Sequence, residues 1–463
     1  MHRFFYILAF FGSSQVLSAQ HHLTLDKDTC HSVDNIKKWF TDGHFHGHVR
    51  NYFMLTQNHG KLKDYYTNAS GGALSYQTAY LRGFALGVKG IFSYNTFGND
   101  LISPDETVNK TAKWELELYD VNRPTVKHDL DRLEELYIKY KSKYFKAQIG
   151  KIDINKGPLL LRRDGRMKPF VFQGLWTEYQ KGKSTINFGL INKVSPRGMT
   201  EWFSLNEAIG LNNNGFTYDG NAAHYHEHAN TMGLLVASIE QQFSSNFISK
   251  IYSYTLHNIT QTNWIENEWQ QNGWFLGTQF VHQTAMPRQK ELAHELRYKK
   301  SNNATLALSL KLEKEIKSIH QKISLAYLRV GGAGRFLYPK EMSRENFYVS
   351  QPRSWVDGFG DLHVYQVGTE YHFQNQKDIS ASFFTAYFDT PNSNDFANNK
   401  YGVKAYWQNT LSINYHFHQF LEGLEFTMLL INRSSPFDHN LSENQNFYRN
   451  NFNHINFIIN LNF

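Results

Sequence analysis

Counted back from the last residue, every second position of 453–463 is apolar. Phe463, Leu461, Ile459, Phe457 and Ile455 share one side, Asn462, Asn460, Asn456 and His454 the other, and Ile458 is the one exception. Successive side chains of a β-strand point to opposite faces, so this pattern spells a strand with one apolar wall and one wet wall. About ten residues cross a bilayer as a tilted strand, and aromatic residues gather where lipid meets water. The stretch therefore predicts the closing strand of a transmembrane barrel. Phe463 is its assembly residue, the terminal aromatic that barrel-assembly machinery would engage.

The alternation recurs along the chain. In 43–55, Phe45, Val49, Phe53 and Leu55 share one face, and His44, His46, His48, Arg50 and Tyr52 the other. Segments 73–81 and 84–94 flank Arg82-Gly83, a hairpin-sized turn. Pairs 133–140 with 144–152, 174–179 with 184–192, 231–242 with 247–257, 364–373 with 379–388, and 404–417 with 424–432 follow, each across a short connection. Alternation also marks 273–282, 292–299, 305–312 and 319–329, where the Pro287 to Lys290 connection blurs the register. The connections alternate short and long, as in bacterial barrels with periplasmic turns and long extracellular loops. The reading is an all-β fold, a transmembrane antiparallel β-barrel of about 18 strands. A soluble propeller or two-sheet sandwich also yields many alternating strands, but neither accounts for the strict short-long order or the terminal aromatic strand.

Composition changes this picture little. The mean hydropathy of −0.53 and the lack of a long apolar run would suggest a soluble protein, but alternating spans average out in hydropathy. Aromatic content, at 16% with 27 Tyr and 36 Phe, fits the girdles of a barrel. A basic start, an apolar stretch from Phe4 to Phe11 and Leu17-Ser18-Ala19 read as a signal peptide over 1–19. Residues 20–42 then form a periplasmic lead-in, and 43–463 a single barrel domain exported to the outer membrane of a Gram-negative cell. The single Cys30 supports neither a disulfide framework nor a lipid anchor. The net charge of +7 favours anionic partners mildly, and scattered Lys and Arg give no nucleic-acid motif.

Two stretches carry a family resemblance. One runs Leu133-Glu134-Glu135-Leu136-Tyr137-Ile138-Lys139-Tyr140, Ala147-Gln148-Ile149-Gly150-Lys151, Arg163-Asp164-Gly165-Arg166-Met167-Lys168-Pro169 and Phe172-Gln173-Gly174; the other is Gly334-Arg335-Phe336-Leu337-Tyr338-Pro339-Lys340-Glu341. Both resemble the OprD family of outer-membrane porins, which are substrate-selective carboxylate channels. The resemblance implies an 18-stranded barrel, an inward-folded third loop around 153–172, and passive diffusion of small, carboxylate-bearing solutes. This chain is richer in His, and its Lys and Glu intermingle where the best-known members show an arginine ladder.

A channel selects by width and by the charges at its narrowest zone. A cation facing lipid near mid-membrane costs about 2–4 kcal/mol, so charges opposite an apolar row belong to the lumen. That rule places Arg50, Lys89, Lys139, Lys146, Arg297, Lys311 and Lys322 on the lumen wall, with Glu135, Glu295 and Glu425. A denser group, Arg162, Arg163, Arg166 and Lys168, is the expected constriction, because guanidinium groups match carboxylates bidentately. A further group, Arg335, Lys340, Arg344 and Arg353, suits the lumen or lipopolysaccharide phosphates equally. His44, His46 and His48, and His224, His226 and His228, lack the convergence a metal site needs, so neither a metal nor another cofactor is expected. Rival functions are saccharide uptake along Phe336, Tyr338, Trp355, Trp264 and Trp269 placed in external connectors, and a lipid hydrolase using His294 on an apolar face. The expected partners are small solutes, outer-membrane lipid and lipopolysaccharide, and the assembly machinery, with a homotrimer among the assemblies this architecture allows.

Overall fold

In the computed structural model, residues 32–128, 130–162, 166–300, 304–373, 378–436 and 441–463 are described. Three two-residue strands aside, these residues form eighteen antiparallel strands closed into a ring. They are β1 (His44–Asn58), β2 (Tyr65–Gln77), β3 (Phe84–Gly98), β4 (Leu130–Lys141), β5 (Phe145–Ile152), β6 (Val171–Lys181), β7 (Ser184–Ser195), β8 (Leu234–Gln242) and β9 (Phe247–Leu256). Then come β10 (Thr260–Gln271), β11 (Trp274–Ala285), β12 (Thr305–Ile316), β13 (Gln321–Val330), β14 (Leu362–His372), β15 (Ile379–Asp389), β16 (Tyr406–His416), β17 (Leu424–Ser434) and β18 (Phe452–Asn462). Each strand pairs with its chain neighbours, and β18 closes on β1 from His48 opposite Asn462 to Asn58 opposite Phe452. Closure leaves no open edge, which hydrocarbon would not tolerate.

The faces follow the alternation. On β18, Phe457, Ile459 and Leu461 are exposed outward while His454, Asn456, Ile458 and Asn460 are buried inward. On β1, Phe45 and Val49 face out and Arg50, Tyr52 and Met54 face in. Phe463 extends the ladder, since Gly47 N donates to its carbonyl at 2.8 Å and its own N–H returns to Gly47 O at 3.0 Å. A side chain at Gly47 would collide with the Phe463 ring at 2.6 Å, so the glycine makes room for the terminal aromatic. Two turns on the terminal rim are two-residue hairpin turns. Arg82-Gly83 and Asn272-Gly273 both have positive φ at both residues, at 50° and 87° and at 49° and 77°, as a two-residue hairpin turn requires. Residues 1–19, the expected signal peptide, and the first part of the lead-in lie outside the described residues. The rest of the lead-in forms a short helix, α1 (Ile36–Thr41), capped by Asn35 and tied to the first turn by Trp39 Nε1 donating to Phe84 O at 3.1 Å.

Three expectations need correction. Residues 292–299 are not a strand: they lie in the loop between β11 and β12, where Tyr298 packs on Tyr225 inside the loop layer. Arg297 therefore leaves the lumen wall and bonds Leu292 O at 2.8 Å, while Glu295 and His294 also sit in that loop. Conversely, 260–271 is a full strand, β10, so Trp264 and Trp269 belong to the wall and not to a connector. The strand total agreed with the expected eighteen because one false segment offset one missed strand.

Long loops of the opposite rim, among them those between β3 and β4, β5 and β6, β7 and β8, β13 and β14, and β17 and β18, turn apolar side chains of their described residues onto the inward faces. Two buried clusters result. One joins Tyr52, Met54 and Tyr65 to Trp114, Leu118, Phe447 and Tyr448; the other joins Leu159, Phe170, Phe336, Phe347 and Val356 to inward residues of β8–β16. Burying this apolar area stabilises the loops by roughly 25 cal/mol per Å².

Candidate functional site

Among the described residues, two cavities with charged linings lie inside the barrel. Toward the short-turn rim is one of about 260 Å³, lined by His46, His48, Arg50, Lys89, Glu135, Lys139, Lys146, Asp153, Lys156, Arg162, Trp176, Glu178 and Asn462, among others. Toward the long-loop rim is one of about 630 Å³. Its charged lining is Lys110, Lys113, Glu117, Arg197, Lys340, Arg344, Arg353, Arg433 and Arg449, with Trp355, Tyr401, Tyr406 and Tyr448 beside them. Eight basic side chains thus share the second lining with one carboxylate, and burial pushes the ammonium groups of Lys113, down to about 7, and of Lys340 toward the neutral amine.

The first cavity is built around a bulge. Lys89 lies opposite Glu135 and Gly90 opposite Leu133, which leaves Glu134 as the extra residue of β4. A bulge places two consecutive residues against one on the partner strand, so Glu134 and Glu135 both point inward. Glu134 is fully buried and meets Lys89 Nζ at 2.8 Å, Arg132 Nη2 at 3.1 Å and Arg162 Nη2 at 3.7 Å. Arg162 also meets Asp153 at 2.5 Å, and Lys146 and Lys156 both reach Glu178 at 3.2 Å. Strict alternation predicts one inward Glu here; only the register reveals the second.

A chain of contacts joins the cavities. Arg50 Nε donates to Asn460 Oδ1 at 2.6 Å, and its Nη1 donates to the backbone carbonyl of Arg166. The Arg166 guanidinium donates to Trp114 O at 3.0 Å and pairs with Glu117, which Arg197 also holds at 2.6 Å. Burial by itself would raise the Glu117 carboxyl, but Arg166 and Arg197 overcome it and hold the group down at about 2. Arg166 adopts a positive φ of 50°, a left-handed turn in the loop that aims this side chain.

The expected constriction residues separate. Arg162 lines the first cavity; Arg166 and Lys168 are fully buried, and Arg163 lies outside the described residues. Lys168 Nζ donates to Ser93 Oγ at 2.6 Å, and burial, then Arg132, pushes its ammonium down to about 7. Of the expected wall residues, Arg50, Lys89, Lys139, Lys146 and Glu135 come together around the first cavity. Lys311 and Lys322 face inward on the far wall, where Lys311 pairs with Glu313 at 2.6 Å and Lys322 stands opposite Glu370. Glu425, inward on β17, meets His416 at 3.3 Å.

In the second cavity the indole of Trp355 carries three cations, with Arg344 at 4.4 Å, Lys340 at 4.8 Å and Lys113 at 5.2 Å from the ring centroid. Aromatic faces attract cations in this way and fix their position. Arg353 bonds His454 Nε2 at 2.8 Å, and Arg433 stacks on Tyr406 at 4.1 Å while donating to Arg353 O at 2.6 Å. Of the basic loop group, Lys340, Arg344 and Arg353 reach this cavity; Arg335 is buried instead, bonding Phe216 O and Thr217 O. Arg197, Arg433, Arg449 and Glu117 were not foreseen. Arg433 follows the last residue of its expected strand, and the others lie in loops without a pattern. His46 and His48 line the first cavity; among the described residues no cluster suited to a metal occurs. Of the aromatics of a saccharide track, Trp355 alone lines the second cavity, and Trp264 packs on Phe347 at 4.5 Å.

No protein-family model matches the sequence, and no curated protein is detectably similar to it. Solved structures do match. OccAB4 of Acinetobacter baumannii superposes with a TM-score of 0.69 at 15% identity over 92% of this chain and 99% of that one. OccK9 (OpdG) of Pseudomonas aeruginosa gives 0.68 at 16% over 92% and 100%, and OpdK of the same organism, solved with vanillate, 0.63 at 14% over 92% and 99%. These similar structures are porins of the OprD/Occ family. The chain therefore has the fold of the OprD/Occ porins, an eighteen-stranded transmembrane barrel whose long loops pack into its lumen.

Proposed function

We propose that this protein is an outer-membrane porin through which small, anionic or carboxylate-bearing solutes diffuse passively. The observation that carries the reading is the lining of the second cavity, where five arginines and three lysines stand against one carboxylate among the described residues. A cleft of one sign with low-dielectric walls concentrates solutes of the opposite charge. Solutes then pass the Glu117–Arg166–Arg50 contacts and meet Arg162, Lys89, Lys139 and Lys146, interleaved with Glu135, Asp153 and Glu178. Arg162 is the loop cation that acts on the solute in this reading, with Arg166 and Lys168 shaping the loop behind it. The barrel acts as a channel and not as an enzyme.

Single-channel recording in a planar bilayer with a panel of organic acids and neutral saccharides tests this. Current block or permeation by carboxylates with none by saccharides supports it; block by saccharides alone would favour the uptake of neutral sugars.

A further inference from the structure

The outward face of β10 departs from the rest of the wall. Its lipid-side residues are Gln261, Asn263, Ile265, Asn267 and Trp269, whereas β12 presents Leu306, Leu308, Leu310 and Leu312. Ser253 and Thr255 on β9 and Thr278 and His282 on β11 extend the polarity. Register places Ser253, Asn263 and His282 in one row across the strands, and that row runs on through Ala237 to Phe188 on β7 and, at the other side, to Leu306 on β12. Phe188 and Leu306 are both exposed apolar residues. Height changes steadily along a row in a tilted sheet, so the polar middle lies between two lipid-facing ends and within the apolar belt.

Part of this polarity is used locally. Gln261 Nε2 donates to Ser253 Oγ at 2.8 Å and Asn263 Oδ1 at 3.2 Å, and Asn267 Nδ2 to Thr278 Oγ1 at 3.4 Å. The amide nitrogen of Asn263 and the imidazole of His282 have no hydrogen-bond partner among the described residues. Hydrocarbon supplies none. Between the two polar rows runs an apolar one, Ile251, Ile265 and Phe280, which gives the face a dry centre and a hydrogen-bonding margin.

We propose that this face is the contact between two copies of this chain, β10 against β10 about a two-fold axis along the membrane normal. A two-fold interface must be self-complementary, and a side-chain amide both donates and accepts, so the strip satisfies its own duplicate. No Lys or Arg points outward from β9, β10 or β11, so the face offers nothing to a lipopolysaccharide phosphate.

The test is cross-linking of the full-length chain in outer membranes, in a Cys30→Ser background, with a short bismaleimide. Asn263→Cys should give at least tenfold more covalent dimer than Leu308→Cys on the leucine wall. With Ser253→Cys as the reporter, adding Asn263→Leu and Asn267→Leu should abolish the dimer while heat-modifiable migration and conductance persist. No dimer at position 263, equal dimer at 263 and 308, a ladder beyond the dimer, an adduct of another mass, or a dimer that survives the leucine substitutions would each overturn the proposal.

Discussion

Replacing Glu134 by Gln removes the one carboxylate that three cations share, at 2.8, 3.1 and 3.7 Å, with no exposed surface on its side chain. Breaking a buried ion pair from one side costs about 3–5 kcal/mol, because the remaining charge stays buried without compensation. Here each cation keeps a second partner: Lys89 keeps Glu135 at 3.5 Å, Arg162 keeps Asp153 at 2.5 Å, and Arg132 keeps Pro169 O at 2.8 Å. The lower end of the range therefore applies, about 3 kcal/mol, or roughly a hundredfold in the folding equilibrium. Unfolding by guanidinium in detergent micelles reads this as a lowered midpoint with an unchanged slope. Glu291→Gln, which breaks only the exposed pair with Arg288, serves as the control and should change stability by less than about 1 kcal/mol. The same Glu134→Gln channel should also become more anion-selective, since Lys89 and Arg162 lose a compensating charge beside the first cavity. A stability loss as small as the control's would refute the buried cluster; an unchanged reversal potential would detach it from the conduction path.

Other consequences are equally direct. Lys168→Met should leave selectivity unchanged and stabilise the barrel at neutral pH by a few kcal/mol, on the order of 1.4 per unit of displacement. The sign follows from the depressed ammonium. Between about 7 in the folded chain and the ordinary value near 10.4, the unfolded chain binds the extra proton, so wild-type stability rises with pH across that window and the Met variant loses this slope. Glu117, held at about 2, contributes stability that is present above the ordinary carboxylate value and is lost as pH falls toward 2; Glu117→Gln should flatten the acid limb of a pH-stability curve. Deleting Phe463 removes two ladder hydrogen bonds and the terminal aromatic, so inserted barrel should fall severalfold on heat-modifiable gels while the conductance of channels that do insert stays constant.

How much of this was legible in the sequence depends on what each residue faces. β1 and β18 were readable because lipid demands an apolar row and the lumen a polar one. β10 was missed because amides occupy its lipid side and Trp264 its inner side, inverting the period-2 signal. The Asn272-Gly273 turn after it was the available clue, since that dipeptide calls for a strand on each side. Segment 292–299 misled for the opposite reason: its alternating apolar residues serve packing among loops, as Tyr298 against Tyr225 shows. The cations of the wall were legible as inward, but their spending in ion pairs was not, because Glu134 enters through a bulge and Glu117 through a loop distant in sequence. The second cavity draws Lys113, Arg197, Arg344, Arg433 and Arg449 from five separate stretches, which no local pattern links.

The proposed anion channel stands or falls on the zero-current potential of the purified protein in a planar bilayer under a KCl gradient. An anion-selective pore gives a reversal potential displaced toward that of chloride, and a smaller displacement when Arg344 and Arg353 are replaced by Gln. A potential displaced toward that of potassium, or one indifferent to those two arginines, would contradict it.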